Sequence, residues 1–258
     1  MGCTHPTLMQ HVDVKVHEGV GTILIGRRER RGAIDPVLIE DLDTALGDLH
    51  LENRVRAVVI AGAGDYFSSG WDTDMVRRIA AVEPPDDAAQ WMRIWQRWVE
   101  LLEAVLRFPK PVIAAVDGPA IGAGLALACA ADVVVASDSA AFAAPATRMG
   151  LVGGVTATLM AFRVGAAGAA RWCLTGEPFD ARSAAAMGLC DPPVPSDQIW
   201  VAGQTIGRSI AESTPESVAL TKRAINEVVA EDLYAHLHSA AASAATLAVT
   251  DAGRERLG

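Results

Sequence analysis

Long uninterrupted apolar runs, an excess of basic side chains and any metal-like cysteine spacing are all missing from this 258-residue chain. Its most hydrophobic stretch, residues 119–136, is Ala-rich and broken by Gly122, Gly124 and Asp132. That pattern predicts a buried helix and strand and excludes a membrane span. The first residues, MGCTHPTLMQHVDVKVHEG, hold no apolar block between a basic start and a small-residue cleavage site, so no secretory signal is expected. Lys and Arg number 22 against 31 Asp and Glu, a formal charge of −9. Such a chain lacks the basic face that phosphate contacts demand, and no nucleic-acid partner is expected. Cys3, Cys129, Cys173 and Cys190 show neither metal nor redox spacing; three of them stand in apolar or small-residue runs, where the thiol acts as a small hydrophobe. A reducing, cytoplasmic setting fits that usage. HExxH, phosphate-loop and GxSxG patterns are absent. The histidines form no ligand set, since His236 and His238 face different sides of a helix and His5, His11 and His17 sit near the start. No metal site is expected.

What is present is enough apolar material for a full core, 51% of the residues. Val12, Val14 and Val16 alternate with polar residues, and a second run spans 20–25, predicting an opening hairpin. Asp35-Pro36 reads as cap and first residue of a helix through Leu49. Strands are predicted at 55–60, 112–116 and 133–136, a loop at 62–74, and a strong helix at 87–107. This alternation predicts an α/β architecture with the site in loops after strand ends. From about Gly154 onward the chain reads as helical, with Asp180 capping a helix through Met187, Thr214-Pro215 opening one through Val229, and a last one over 233–249. No repeat or linker divides it. Residues 1–195 are expected to form the core with the site, and 196–258 a helical region that meets a partner subunit.

The segment DGPAIGAGLALACAAD, Asp117 to Asp132, carries the most chemical information. Gly122 and Gly124 can take backbone shapes other residues resist, at a point where a helix begins. Amides there lack intrahelical acceptors, and the helix dipole adds roughly half a positive charge. The turn suits an oxyanion. From Gly118 to Ala131 it has no carboxylate, histidine, serine or lysine, so it can stabilise charge but cannot move a proton. A dinucleotide reading fails for want of the acidic residue at the end of the next strand. On the long helix, Trp91, Trp95, Trp98, Leu102 and Val105 line one face.

Taken with the loop GAGDYFSSGWDTD (62–74), this turn resembles the two-part signature of the enoyl-CoA hydratase/isomerase, or crotonase, superfamily. Further blocks fall in that family's order: TILIGRRERRGAI (22–34), FAAPATRMGLVGG (142–154), LTGEPFDARSAAAMGLCD (174–191) and TKRAIN (221–226). The resemblance covers nearly the whole chain. It implies a spiral of ββα units followed by helices that build trimers or dimers of trimers, and an acyl-CoA thioester ligand, with coenzyme A part of the substrate and no separate cofactor. It also implies that the thioester carbonyl accepts from the backbone N–H groups of Trp71, after Ser69 and Gly70, and of Ala123, after Gly122.

The family's hydratases place two glutamates about the reacting carbons, and the matching positions here are Ala126 and Ala146. A third acidic position of some dienoyl isomerases matches Gly154. General acid–base groups commonly give about 10² to 10⁴ each in rate, so classical hydration is expected to be poor. Asp72 at its family position is structural; Arg148 reads as a salt-bridge or surface residue, Glu177 and Asp180 as turn and cap. For the nucleotide end, Arg27, Arg28, Arg30 and Arg31 form the densest basic cluster, next to Ala33, with Lys222 and Arg223 as further phosphate candidates. Screening over roughly 8 Å lets such a cluster outweigh the acidic whole. The family carries proline where Arg28 stands and asparagine where Gly32 stands. The helix with Trp91 and Trp95 borders the acyl chamber in the family. Three activities follow: an enolate-stabilising enzyme of hydratase or isomerase type, an acyl-CoA binder, carrier or sensor without turnover, and a decarboxylase-like enzyme that needs little acid–base help.

Overall fold

The chain opens with β1 (Val12–His17) and β2 (Val20–Ile25), paired antiparallel through a turn in which Glu18 and Gly19 take positive φ. The structure, a computed structural model, describes residues 9–227 and 230–257; Cys3, His5, Val228 and Val229 lie outside the described residues. β3 (Ala57–Gly62), β4 (Val112–Val116) and, after a shorter strand β5 (Pro119–Ile121), β6 (Val133–Ala136) extend the first pair in parallel, in the order β1-β2-β3-β4-β6. A second, three-stranded sheet runs β5-β7-β8, with β7 at Ala141–Ala143 and β8 at Phe179–Asp180. The chain therefore changes sheet three times, from β4 to β5, back from β5 to β6, and again from β6 to β7. That is the expected α/β spiral.

The strand predicted at 55–60 lies two residues later, because Arg56 N–H is taken by the Gly19 carbonyl in the hairpin turn. The three strands of the second sheet are too short for periodicity to reveal, and β5 begins on a proline.

Asp35 caps α1 (Pro36–Leu51), its carboxylate accepting from Leu38 N–H. α2 (Thr73–Ala80) cuts short the predicted loop, because Asp72 accepts from both Asp74 and Met75 N–H and so starts a helix. α3 (Asp86–Arg107) packs its Trp98, Leu102 and Val105 face into the main core, where these three are fully buried. All eight residues of α4 (Ala123–Ala130) are buried, with no polar side chain among them. α5 (Gly154–Thr175) breaks its helical geometry at Gly165. α6 (Ala181–Ala186) is capped by Asp180.

The last helices pack on their own chain. α7 (Ile199–Ala211) lies across the outer face of the main sheet, where Gly203 and Gly207 leave room for Val59, Ala115 and Val20. α8 (Pro215–Glu227) follows. α9 (Ala230–Ala248) buries Leu233, Leu237 and Ala241 in the core with α3 and α5, so the apolar side expected to meet a partner subunit is covered from within. α10 (Asp251–Leu257) folds back beside α2, where Arg254 pairs with Asp87. Among the described residues no helix is long and apolar enough to cross a membrane.

Candidate active site

Two turns that lie far apart in sequence are stitched together by backbone. Ser68 is fully buried, and its hydroxyl donates to the Gly32 carbonyl at 2.7 Å while accepting Gly70 N–H at 3.2 Å. Phe67 and Ser68 N–H both donate to the Pro119 carbonyl, and Ile121 N–H donates to the Ser68 carbonyl at 2.9 Å. Gly70 takes φ +84°, and a methyl group there would lie 2.6 Å from the Ile121 carbonyl oxygen and 3.4 Å from the Ala123 nitrogen. A methyl on Gly124 would lie 2.5 Å from the Ser68 carbonyl oxygen. These approaches need glycine, and they set the backbone of Trp71 beside that of Ala123.

Gly122 differs. Its φ of 53° and ψ of −111° suit only glycine, yet a methyl there would meet nothing within 4 Å, so open space faces the turn. Its own N–H donates to the Ala143 carbonyl at 2.8 Å, and Ile34 N–H donates to the Gly70 carbonyl at 2.7 Å. Neither Trp71 N–H nor Ala123 N–H meets an acceptor among the described residues. Two unused donors on adjoining turns, one opening a helix, can hold one carbonyl oxygen and a negative charge that develops on it.

At the far end of α4, Arg163 donates through Nε to the Cys129 carbonyl at 2.6 Å and also bonds the Ala131 carbonyl. Its charge complements the negative end of the helix dipole, although burial lowers the pKa of its guanidinium. Burial pushes the Cys129 thiol up to about 12, which leaves it an inert packing group.

Several expected site residues stand elsewhere. Arg27 is 7% exposed, donates to the Ala33 carbonyl and bridges Asp35 and Asp72 at 3.0 Å each. It holds the loop together and is not open to a phosphate. Burial tends to raise the Asp72 pKa, but the N–H groups of Met75 and Asp74 and the Arg27 guanidinium outweigh it and hold the carboxyl below its ordinary value. Within the basic cluster Arg30 pairs with Asp74, Arg31 lies over the Tyr66 ring, and exposed Arg28 keeps no ion-pair partner among the described residues. Gly32 has φ +64°, and a Cβ there would lie 2.8 Å from the Phe67 carbonyl oxygen, so the loop as folded takes glycine where the family carries asparagine. Lys222 is buried, bonded to Asp132 at 2.8 Å and to the Val105 carbonyl at 3.2 Å, so it braces α8 on α3 and is not free for phosphate. Burial lowers its pKa against the pull of Asp132.

Trp71 is half-buried and meets Trp95 and Trp98 edge-to-face at 5.2 and 5.5 Å. Trp91 is buried in a cluster with Met75, Ile79, Ala245, Ala248 and Leu257, against which Trp71 and Trp95 also pack. Ala126 is fully buried in the core, whereas Ala146 is half-buried, 3.1 Å from where a methyl on Gly153 would sit. Ser69 is half-buried and Ala33 buried, both along the stitched loop. Arg148 is exposed and makes no salt bridge among the described residues; its stem lies over Gly176. Asp180 caps as expected. Sequence reading missed Thr156, whose buried hydroxyl donates to the Gly122 carbonyl at 3.1 Å; no local pattern ties the two. Among the described residues no group of three His, Cys, Asp or Glu is placed to hold a metal ion.

Residues 15–254 match the family model described as enoyl-CoA hydratase/isomerase. A Thermus thermophilus protein named as an enoyl-CoA hydratase is 32% identical over 212 residues, 81% of each chain. One from Mycobacterium bovis with the same activity in its name is 36% identical over 231 residues, 85% of this chain and 78% of that one. The crystal structure of an enoyl-CoA hydratase/isomerase from Mycobacterium paratuberculosis superposes with a TM-score of 0.85 at 27% identity, covering 96% of this chain and 97% of the other.

Proposed function

This chain belongs to the enoyl-CoA hydratase/isomerase family, and from that premise we propose that it acts on an acyl-CoA thioester whose carbonyl oxygen is held by the N–H groups of Trp71 and Ala123. The reading is carried by one observation: the Gly70 turn and the start of α4 interlock so closely that a methyl on Gly70 would lie 3.4 Å from the Ala123 nitrogen. Withdrawal of electron density through two such donors stabilises an enolate-like charge, and one donor of this kind is typically worth about 10² to 10³ in rate. Coenzyme A is part of the substrate, so no separate cofactor is required. Arg28 and Arg31 remain as exposed cations for its phosphates. The setting is fatty-acid metabolism in the cytoplasm, and the assembly a trimer or dimer of trimers.

Classical hydration is poor in this proposal, because Ala126 and Ala146 replace both proton-handling carboxylates. A second reading, an acyl-CoA binder, carrier or sensor without turnover, is favoured by the burial of Ala126 in the core with no proton-handling side chain of its own. In a decarboxylase-like third reading, exposed Arg148 is the first residue to replace.

Titration calorimetry with hexanoyl-CoA and free CoA, beside a hydration assay on crotonyl-CoA, tests these readings. Tighter binding of hexanoyl-CoA than of CoA, with slow crotonyl-CoA hydration, is expected. Ala146→Glu, at the half-buried position, raises hydration by at least about tenfold if the hole is competent. Failure to bind either thioester would remove all three readings.

A further inference from the structure

In a peptide unit the carbonyl and the N–H are conjugated, so a hydrogen bond accepted at oxygen strengthens the donor at nitrogen. Both proposed donors belong to peptides whose oxygen end is already bonded. The Trp71 N–H shares its peptide with the Gly70 carbonyl, which accepts Ile34 N–H at 2.7 Å. The Ala123 N–H shares its peptide with the Gly122 carbonyl, which accepts Ala126 N–H at 3.0 Å and the Thr156 hydroxyl at 3.1 Å. Both lone pairs of that oxygen are used. Thr156 is the one side chain in this arrangement, 7% exposed, on the first turn of α5.

The geometry of the turn gives that hydroxyl a second task. Gly122 sits at φ 53° and ψ −111°, outside the helical and extended basins, and nothing packs within 4 Å of where its Cβ would be. Sterics on that side do not hold the peptide plane. The bonds at its carbonyl do, and the Thr156 bond also ties the start of α5 to the start of α4.

We propose that Thr156 is a positioning residue of the oxyanion site, fixing and polarising the Gly122–Ala123 peptide so that Ala123 N–H donates strongly to a thioester carbonyl. This rests on the acyl-thioester reading above. Thr156 touches no substrate and moves no proton; it acts through the peptide it bonds.

The test is difference infrared spectroscopy of carbonyl-labelled [1-¹³C]hexanoyl-CoA bound to the protein and to Thr156→Ser, Thr156→Cys and Thr156→Val. The wild-type carbonyl stretch is expected to fall to lower frequency on binding. Thr156→Ser keeps that shift, Thr156→Val loses roughly 10–30% of it, as expected for one cooperative bond, and Thr156→Cys lies between. Affinity for hexanoyl-CoA relative to free CoA drops about fivefold in Thr156→Val. If that variant does not fold, the ordering of Ser against Cys decides. A Thr156→Val shift equal to wild type, or a Thr156→Ser shift no larger than that of Val or Cys, overturns the positioning role alone. An unshifted carbonyl in the wild type overturns the acyl-thioester reading and this proposal with it.

Discussion

Gly124→Ala is the substitution whose sign helix propensity and the structure predict oppositely. Gly124 lies in the first turn of a helix, where propensity alone awards alanine about 0.8–1 kcal/mol. The added methyl, however, would sit 2.5 Å from the Ser68 carbonyl oxygen and 2.7 Å from the Ser68 Cβ. Ser68 cannot step aside, because its carbonyl, amide and hydroxyl are bonded to Ile121, Pro119, Gly32 and Gly70. Overpacking against a fixed neighbour costs about 1–3 kcal/mol, and the rigidity here places it near the upper end. The net expectation is about 1–2 kcal/mol of lost stability, or roughly 2–8 °C in Tm for a chain of this size. The same shift parts the Trp71 turn from α4, so hexanoyl-CoA affinity falls while affinity for free CoA holds. Urea denaturation and calorimetry read both quantities. A variant more stable by about 1 kcal/mol, binding hexanoyl-CoA as the parent does, would refute the claim that this contact sets the distance between the donors.

Lys222→Met removes the buried partner of Asp132 and is expected to cost about 3 kcal/mol, the lower end for such pairs because Val112 N–H still serves the carboxylate; thermal melts check it. A loss of acyl-CoA affinity with stability intact would restore the phosphate role to Lys222. For Asp72 the folded pKa lies below its ordinary value, so its contribution is complete above about pH 4 and is lost as pH falls through the folded value. Asp72→Asn is expected to be less stable at neutral pH and to lose less on acidification. Urea midpoints taken stepwise from pH 7 down to about 2.5 decide this, and parallel profiles for the two proteins would count against it.

What could be read from the sequence was what neighbouring residues decide. Asp35-Pro36 and Asp180 announce helices because cap chemistry is local, and 112–116 announces a buried strand because its apolar run is continuous. The glycine turn at 122–124 was legible for the same reason. The role of Arg27 was not, since a basic cluster looks alike whether its members face solvent or, as here, one of them is clasped by carboxylates at 35 and 72. Trp91 and Trp95 share a helical face in sequence, and they pack together in the structure, but the burial of Trp91 under α2, α9 and α10 was not legible, because nothing near residue 91 encodes their arrival. Thr156 was invisible because its partner is a backbone oxygen 34 residues away.

The shortness of α4 governs how the site comes apart. Eight residues without a charged or polar side chain fall below the roughly 12–15 needed for an isolated helix to persist in water. α4 exists because the Ser68 turn, Thr156 and Arg163 hold its two ends. It has no private unfolding route. Its amide protons should therefore exchange with solvent only through openings nearly as costly as global unfolding, while the first turn of exposed α8 exchanges freely. A ligand held at the start of α4 would then slow hydrogen exchange across the β3, β4 and β6 strands as well, making the donor pair a sensor of whether the whole molecule is folded.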